Sequence, residues 1–390
     1  MSDLSPPVVH ELVVVSLESW DLVWRRNQYL VTELLRADPA LVVLFVEPAA
    51  DPLHEARRGF RPRTGHGLRR ADPVEGVGPD QLWLYQPTKI LPRRVDPRVD
   101  ARLASLVRRA ARRVGLTRPV LWVNDPAAAT LVEDTDWPSL YDVTDDWVAA
   151  DRPPEIRRRL LADEALLLRA CEEVTVCSPH LAASKGAERA VTLVTNGVDV
   201  DRYRLPRDRP ADLPVGPVAL YLGTVHRDRF DLDLVARTAA TTAGTGTVVV
   251  VGPVLDLTSQ EYDDLTAAGV RLLGARPWTE VPSYLQHATA LLVPHLVDDF
   301  TDSLDPLKLY EYRAVGRPVV ATPVAGFRDA RDPRVTVAAP ADFPQAVRAA
   351  LTAPAATDTH QDDDIPTWDV QGRAMRDVIE RARRRGATPR

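Results

Sequence analysis

Cysteine, methionine and aromatic residues are all scarce in this chain. Of 390 residues, two are cysteine, two are methionine and 6% are aromatic. Cys171 and Cys177 are too few for a disulfide framework or a metal quartet, and they fit a reducing cytosol. The eight histidines never take metal-ligand spacing, so no metal site is expected. No apolar run approaches bilayer-spanning length. The first residues lack the basic start and long apolar stretch of a signal peptide, so a cytoplasmic location is expected. Strong net charge is missing too. A formal charge of −6 gives no reason to expect nucleic acid as a partner.

Several familiar chemical signatures are likewise absent. Ser178 lies in a Cys-Ser-Pro context, without the flanking glycines of a nucleophile elbow. AGTGTVVVVG (243–252) has its glycines before a strand rather than between strand and helix, so it is no dinucleotide fingerprint. Asp298–Asp299, Asp145–Asp146 and the run Asp362–Asp364 only imitate metal-binding acidic pairs.

What the chain does have is alternation. Short apolar runs at 11–16, 41–48, 81–87, 120–125, 139–145 and 174–179 read as buried strands between helices, notably 22–35 and 153–172. The stretch 50–80, rich in Arg, Gly and Pro, reads as a long loop. Residues 202–217, with four prolines, read as a linker. The alternation then resumes through strands at 218–223, 247–253, 270–274, 290–295 and 318–322. This predicts an α/β protein with two Rossmann-like domains, their parallel sheets facing across a cleft. The boundaries are 1–205 for an acceptor-side domain, 206–350 for a second domain, and 351–390 for a tail and helix packing back on the first.

Charge is uneven along the chain. Residues 57–118 hold 16 Lys and Arg against 5 Asp and Glu, a net +11. Within it, 96–118 predicts an amphipathic helix with Leu103, Leu106, Val107, Ala110, Ala111 and Val114 on its apolar side. That helix is either a solvated surface or a face for anionic lipid headgroups or an acidic acceptor.

The string PLKLYEYRAVGRPVVAT (306–322) carries the clearest chemistry. Lys308 and Glu311 stand three apart on one helical face. A lysine can neutralise phosphate, a glutamate can accept from ribose hydroxyls, and a helix N-terminus favours anions. A surface ion pair at helical spacing is the alternative.

This string resembles the C-terminal signature of the GT-B glycosyltransferases of the glycosyltransferase-4-like kind. The segments TNGVD (195–199), ALYLGTVHRDRFDLDLV (219–235) and GARPWTEVPSYLQHATALLVPH (274–295) are similar to that family in the expected order. SLYDVTDDW (139–147) and WDLVWRRNQYL (20–30) resemble a bacterial subset acting on cell-surface polysaccharides. The resemblance implies a metal-independent transferase without a cofactor. It would take a nucleotide-sugar donor, a UDP- or GDP-sugar foremost, and a glycan or lipid-linked acceptor, with peripheral contact at the inner face of the cell membrane through 57–118. It makes Glu311 the ribose ligand and puts Gly223 and Thr224 in a glycine turn facing the diphosphate. Arg229, or alternatively Arg227, supplies a phosphate contact, and charge and placement suggest Lys308 as another. Gly274 to Pro277, including Arg276, run beside the nucleobase, with Trp278 either stacking on it or packed in the core.

Many relatives carry a first glutamate eight positions before the second. Here that position is Ser303. Asp302 and Asp305 are the nearby substitutes, and retention or inversion of the anomeric configuration stays open. For catalysis the cluster Asp142, Asp145 and Asp146 stands at the end of a strand, with Asp145 addressing the acceptor and Asp142 pinning a loop. A capping role for the cluster is the alternative. Trp20, Asp21, Arg26 and Gln28 follow the first strand and face the cleft, Arg26 meeting either an anion or a structural partner. A nucleotide-sugar 2-epimerase of the same fold and a non-catalytic nucleotide-sugar binder are the competing functions.

Overall fold

The computed structural model describes residues 10–57, 61–148, 152–255, 257–354 and 364–387. The acidic tail expected before residue 364 falls mostly outside them, as does the start of the chain. Runs of Val, Leu and Ile form strands because β-branched and apolar side chains pack on both faces of a covered sheet. In the first half these are β1 (Glu11–Val15), β2 (Val42–Val46), β3 (Gly67–Arg70), β4 (Leu82–Gln86), β5 (Val120–Val123), β6 (Ser139–Val143), β7 (Glu173–Val176) and β8 (Thr192–Leu193). They lie in the order β3-β4-β2-β1-β5-β6-β7-β8, parallel except for β3 against β4. The second half forms β9 (Val218–Leu222), β10 (Thr247–Val251), β11 (Arg271–Gly274), β12 (Ala290–Val293), β13 (Val319–Ala321) and β14 (Val335–Val337). Their order is β11-β10-β9-β12-β13-β14, all parallel.

Each sheet is covered on both faces. On one side of the first sheet lie Leu30, Val31, Leu34 and Leu35 of helix Arg26–Ala37. Beside them pack Met375, Val378, Ile379 and Ala382 of the last helix, Trp368–Gly386. The other side holds Ala104, Val107 and Ala111 of helix Val99–Val114 with Leu167 and Leu168 of helix Pro154–Ala170. The second sheet packs against helix Leu307–Val315 on one face and helices Leu232–Thr242 and Phe343–Thr352 on the other.

Two chain segments cross between the sheets side by side, where the Val198 amide donates to the Pro366 carbonyl at 2.9 Å. The TNGVD segment builds this junction. Asn196 donates its amide to Asp305 Oδ2 at 2.6 Å, and the Asp199 side chain caps helix Val200–Arg204 by accepting from the Arg202 amide. Beyond the crossing, the last helix is pinned to the first sheet by Arg381 and Arg385, 3.2 and 2.7 Å from Glu173.

One expectation is corrected. The stretch 50–80 contains helix Pro52–Arg57 and strand β3 rather than a plain loop. β3 is an edge strand of sequence Gly-Leu-Arg-Arg, with one side open to water, so it lacks the apolar pattern that marks a buried strand.

Candidate functional site between the two sheets

The carboxyl ends of both sets of parallel strands point into one cleft, which is where open α/β sheets bind ligands. Its volume is about 530 Å³, inside the range of roughly 300–1,000 Å³ for small-molecule sites. The first domain contributes the loop after β1 (Glu18 to Arg25), Asn124 after β5, Asp145 after β6 and Cys177 after β7. The second contributes Gly223, Thr224 and Arg229 after β9, Gly252 after β10, then Arg276, Trp278, Lys308 and Glu311.

The floor on the second side depends on two glycines passing each other. Gly223 and Gly252 have φ of 141° and 148°, where other residues are strained. A Cβ on Gly252 would lie 2.1 Å from the Gly223 carbonyl oxygen. A Cβ on Gly223 would lie 3.3 Å from Lys308 Nζ. The bare backbone therefore leaves open the space beside that ammonium.

Two cations meet there, neither in a direct ion pair among the described residues. Lys308 Nζ lies 5.0 Å above the Tyr221 ring. Burial is the main cause pushing its pKa down to about 7; nearby Arg229 adds to this and Glu311 opposes it. Arg229 Nε is buried with no hydrogen-bond partner. An unpaired buried donor is costly, so such a pair favours an anion. The alternative Arg227 is tied to Glu261 at the exterior and does not line the cleft.

Glu311 sits one turn along helix Leu307–Val315 from Lys308, and its Oε1 accepts from the Tyr203 hydroxyl at 2.6 Å. Burial raises its pKa, with the Tyr203 bond and Lys308 working against that shift. Thr224 accepts from the Tyr221 hydroxyl through its carbonyl, at 3.2 Å, and lines the cleft.

Other expected residues are used differently. Trp278 is stacked on Trp24 with centroids 4.1 Å apart, and the Arg202 guanidinium covers it at 3.9 Å. Two groups that close must occupy opposite faces, so neither face is open to a nucleobase. The Arg276 guanidinium is held by Asp212, by the Tyr284 hydroxyl at 2.8 Å and by the Leu273 carbonyl. It lines the cleft but is committed to these protein partners.

The three acids of YDVTDDW go three ways. Asp142 is wholly buried outside the cleft lining, paired with Arg26 at 3.2 Å and accepting from Trp122 Nε1 and the Thr175 hydroxyl. It therefore does not address an acceptor, and its partner Arg26 is the structural ion pair. Asp146 turns toward Lys185 at 3.5 Å. Asp145 alone faces the cleft, where Thr144 donates to it at 3.1 Å and burial raises its pKa against the pull of Arg229.

Ser303 is buried and bridges the domains. Its hydroxyl accepts from the Asp146 amide at 3.1 Å, and its carbonyl accepts from the Ser178 hydroxyl at 2.7 Å. Asp302 is paired with Arg328, and both Asp305 oxygens are taken, by the Asn196 amide and by the Tyr310 hydroxyl at 2.6 Å.

Glu18 escaped the sequence reading. It follows β1, a central strand, and lines the cleft at the position where such folds place reactive groups. That position is the signal that could have marked it.

Residues 216–353 match the family model described as Glycosyl transferases group 1. A protein named as a teichuronic acid biosynthesis glycosyltransferase, TuaH of Bacillus subtilis (strain 168), is 26% identical over 223 residues, 53% of this chain and 55% of that protein. The match thus spans about half the length of that relative. Among solved structures, trehalose-6-phosphate from E. coli bound with UDP-2-fluoro glucose aligns with TM-score 0.58 and 12% identity, over 95% of each chain. An α,α-trehalose-phosphate synthase (UDP-forming) from Burkholderia vietnamiensis gives 0.57 and 12%, over 97% of this chain and 96% of its own. At such identities the likeness is one of fold. The chain has the two-domain GT-B fold, and its residues 216–353 are similar to the group 1 glycosyltransferases.

Proposed function

We propose that the cleft transfers a sugar from a nucleotide-sugar donor to a hydroxyl of a glycan or lipid-linked acceptor, without a metal or other cofactor. One observation carries the reading: Lys308 and Arg229, neither in a direct ion pair among the described residues and Arg229 Nε buried without a hydrogen bond, line the cleft beside a glycine crossing that leaves room for a diphosphate. These cations take the charge-neutralising role, and they also stabilise the diphosphate as it leaves. Glu311, oriented by Tyr203, is suited to accept from ribose hydroxyls. The fold likeness to a UDP-2-fluoro glucose complex supports a UDP-sugar, and the likeness to TuaH supports a cell-surface polysaccharide acceptor.

The surface supports a peripheral encounter with membrane-borne acceptors at the inner face of the cell membrane. No helix among the described residues is long and apolar enough to cross a membrane. Helix Val99–Val114 exposes Arg102, Arg109, Arg112 and Arg113. The loop before it exposes Ile90 and Val95, at 73% and 65%.

A thermal-shift screen of UDP-, GDP-, TDP- and ADP-sugars tests the donor site, using wild type and Glu311→Ala. One nucleotide class should raise the melting temperature of the wild type by mass action, and the variant should lose that shift. Absence of any shift at saturating ligand overturns the reading. Binding without turnover in the presence of acceptor would instead identify a non-catalytic binder.

A further inference from the structure

One buried hydrogen-bond donor of the cleft has no part in the reading above, the indole N–H of Trp147. Trp147 lies four residues beyond β6 and lines the cleft from the first domain. Its ring is 5.7 Å from the Phe300 ring of the second domain, and the Arg152 guanidinium stands 5.8 Å over it. Phe300 and Leu304 pack with it in a small apolar cluster across the domain boundary. These contacts hold the ring, yet Trp147 Nε1 is closed off from water and has no hydrogen-bond partner among the described residues. A donor left unmet in that way is costly, which points to a partner that arrives with a ligand.

Arg229 fixes where that ligand lies. Its Nε is likewise buried without a partner, and its guanidinium carbon is 5.8 Å from the same Phe300 ring. The charge of Arg229 also acts on Asp145, whose Oδ2 accepts from the Thr144 hydroxyl at 3.1 Å. The carboxylates of the second domain nearby are already engaged: Asp302 by Arg328, Asp305 by Asn196 and Tyr310, Glu311 by Tyr203.

Resting on the donor reading above, we propose that the first domain holds the donor's sugar, with Trp147 Nε1 donating to one ring hydroxyl and Asp145 accepting from its neighbour. The sugar is bonded directly to the diphosphate. With the phosphates on Lys308 and Arg229, it lies beside Arg229, where Trp147 and Asp145 are. A hydroxyl both donates and accepts, so one fixed donor next to one fixed acceptor suits two adjacent free hydroxyls. The second domain thus reads the nucleotide and the first reads the sugar, which makes Trp147 a specificity residue. A bare nucleoside diphosphate gains nothing from it.

The test titrates UDP, GDP and their hexose esters, among them UDP-glucose, UDP-galactose and GDP-mannose, into the full chain by calorimetry. Phenylalanine keeps a ring between Phe300 and Arg152 and removes only the N–H. Trp147→Phe should weaken the best-bound nucleotide sugar about five- to tenfold, the worth of one hydrogen bond, and leave the matching diphosphate within about twofold. Asp145→Ala, a second and independent variant, should also lower affinity for the sugar relative to the diphosphate. Equal weakening of both ligands by these variants, or of neither, overturns the proposal and leaves Trp147 a packing residue. So does a wild type that binds a diphosphate but none of its hexose esters. Failure to bind any diphosphate or nucleotide sugar would instead overturn the donor reading on which it rests.

Discussion

A half-buried ammonium facing an arginine holds its proton loosely, and this links ligand affinity to pH at Lys308. Its neighbours are Arg229, Glu311 and the buried, neutral His295, and its free-state pKa is about 7. A bound diphosphate favours the charged form and raises that value. Binding at pH 8 should therefore take up close to one proton, and affinity should fall as pH rises above about 7. Titration calorimetry in buffers of different ionisation heat measures the uptake, and Lys308→Arg should abolish it. Proton release on binding would contradict the arrangement. Asp142 gives a different expectation. Removing one member of its buried pair with Arg26 should cost about 3–5 kcal/mol of stability by chemical denaturation, because the guanidinium is left uncompensated. The sequence could not separate Asp142 from Asp145. Their fates depend on Arg26 and Arg229, which lie far away along the chain. For the same reason Trp278 looked free to stack, since Trp24 and Arg202 approach it only in the folded molecule. Lys308 and Glu311 were legible because one helical turn brings them together locally.

At the scale of elements, the apolar strands were legible nearly to the residue, since a strand covered on both faces must be apolar throughout. What escaped notice was polar or short: edge strand β3, the two-residue β8 and helix Asp299–Ser303. Their places are set by neighbours rather than by their own pattern. Helix Val99–Val114 was legible from its periodicity, and its exposed arginines make it a measurable element. Each arginine near an anionic surface contributes about 1 kcal/mol. Replacing Arg102, Arg109, Arg112 and Arg113 with glutamine should weaken binding to phosphatidylglycerol vesicles by roughly two to three orders of magnitude. Sedimentation at low and high salt reads this, and wild-type binding indifferent to salt would refute it.

Across the whole molecule, the domains are fastened on two sides of the cleft. Ser303 ties to Asp146 and Ser178 on one side, and the Trp278 amide donates to the Leu22 carbonyl beside the aromatic stack on the other. Trp278→Ala should loosen this closure. Small-angle scattering should show a larger radius of gyration without ligand, with nucleotide sugar drawing it back; unchanged scattering would mean the stack is not a fastener. The return of helix Trp368–Gly386 to the first sheet has a consequence for biosynthesis. Domains generally fold in the order they leave the ribosome, but here Leu30, Val31, Leu34 and Leu35 wait for a cover encoded beyond the whole second sheet. Of the two domains, the one that emerges earlier is completed later. Through most of its synthesis the nascent chain carries an open apolar face, the kind of surface that chaperones hold.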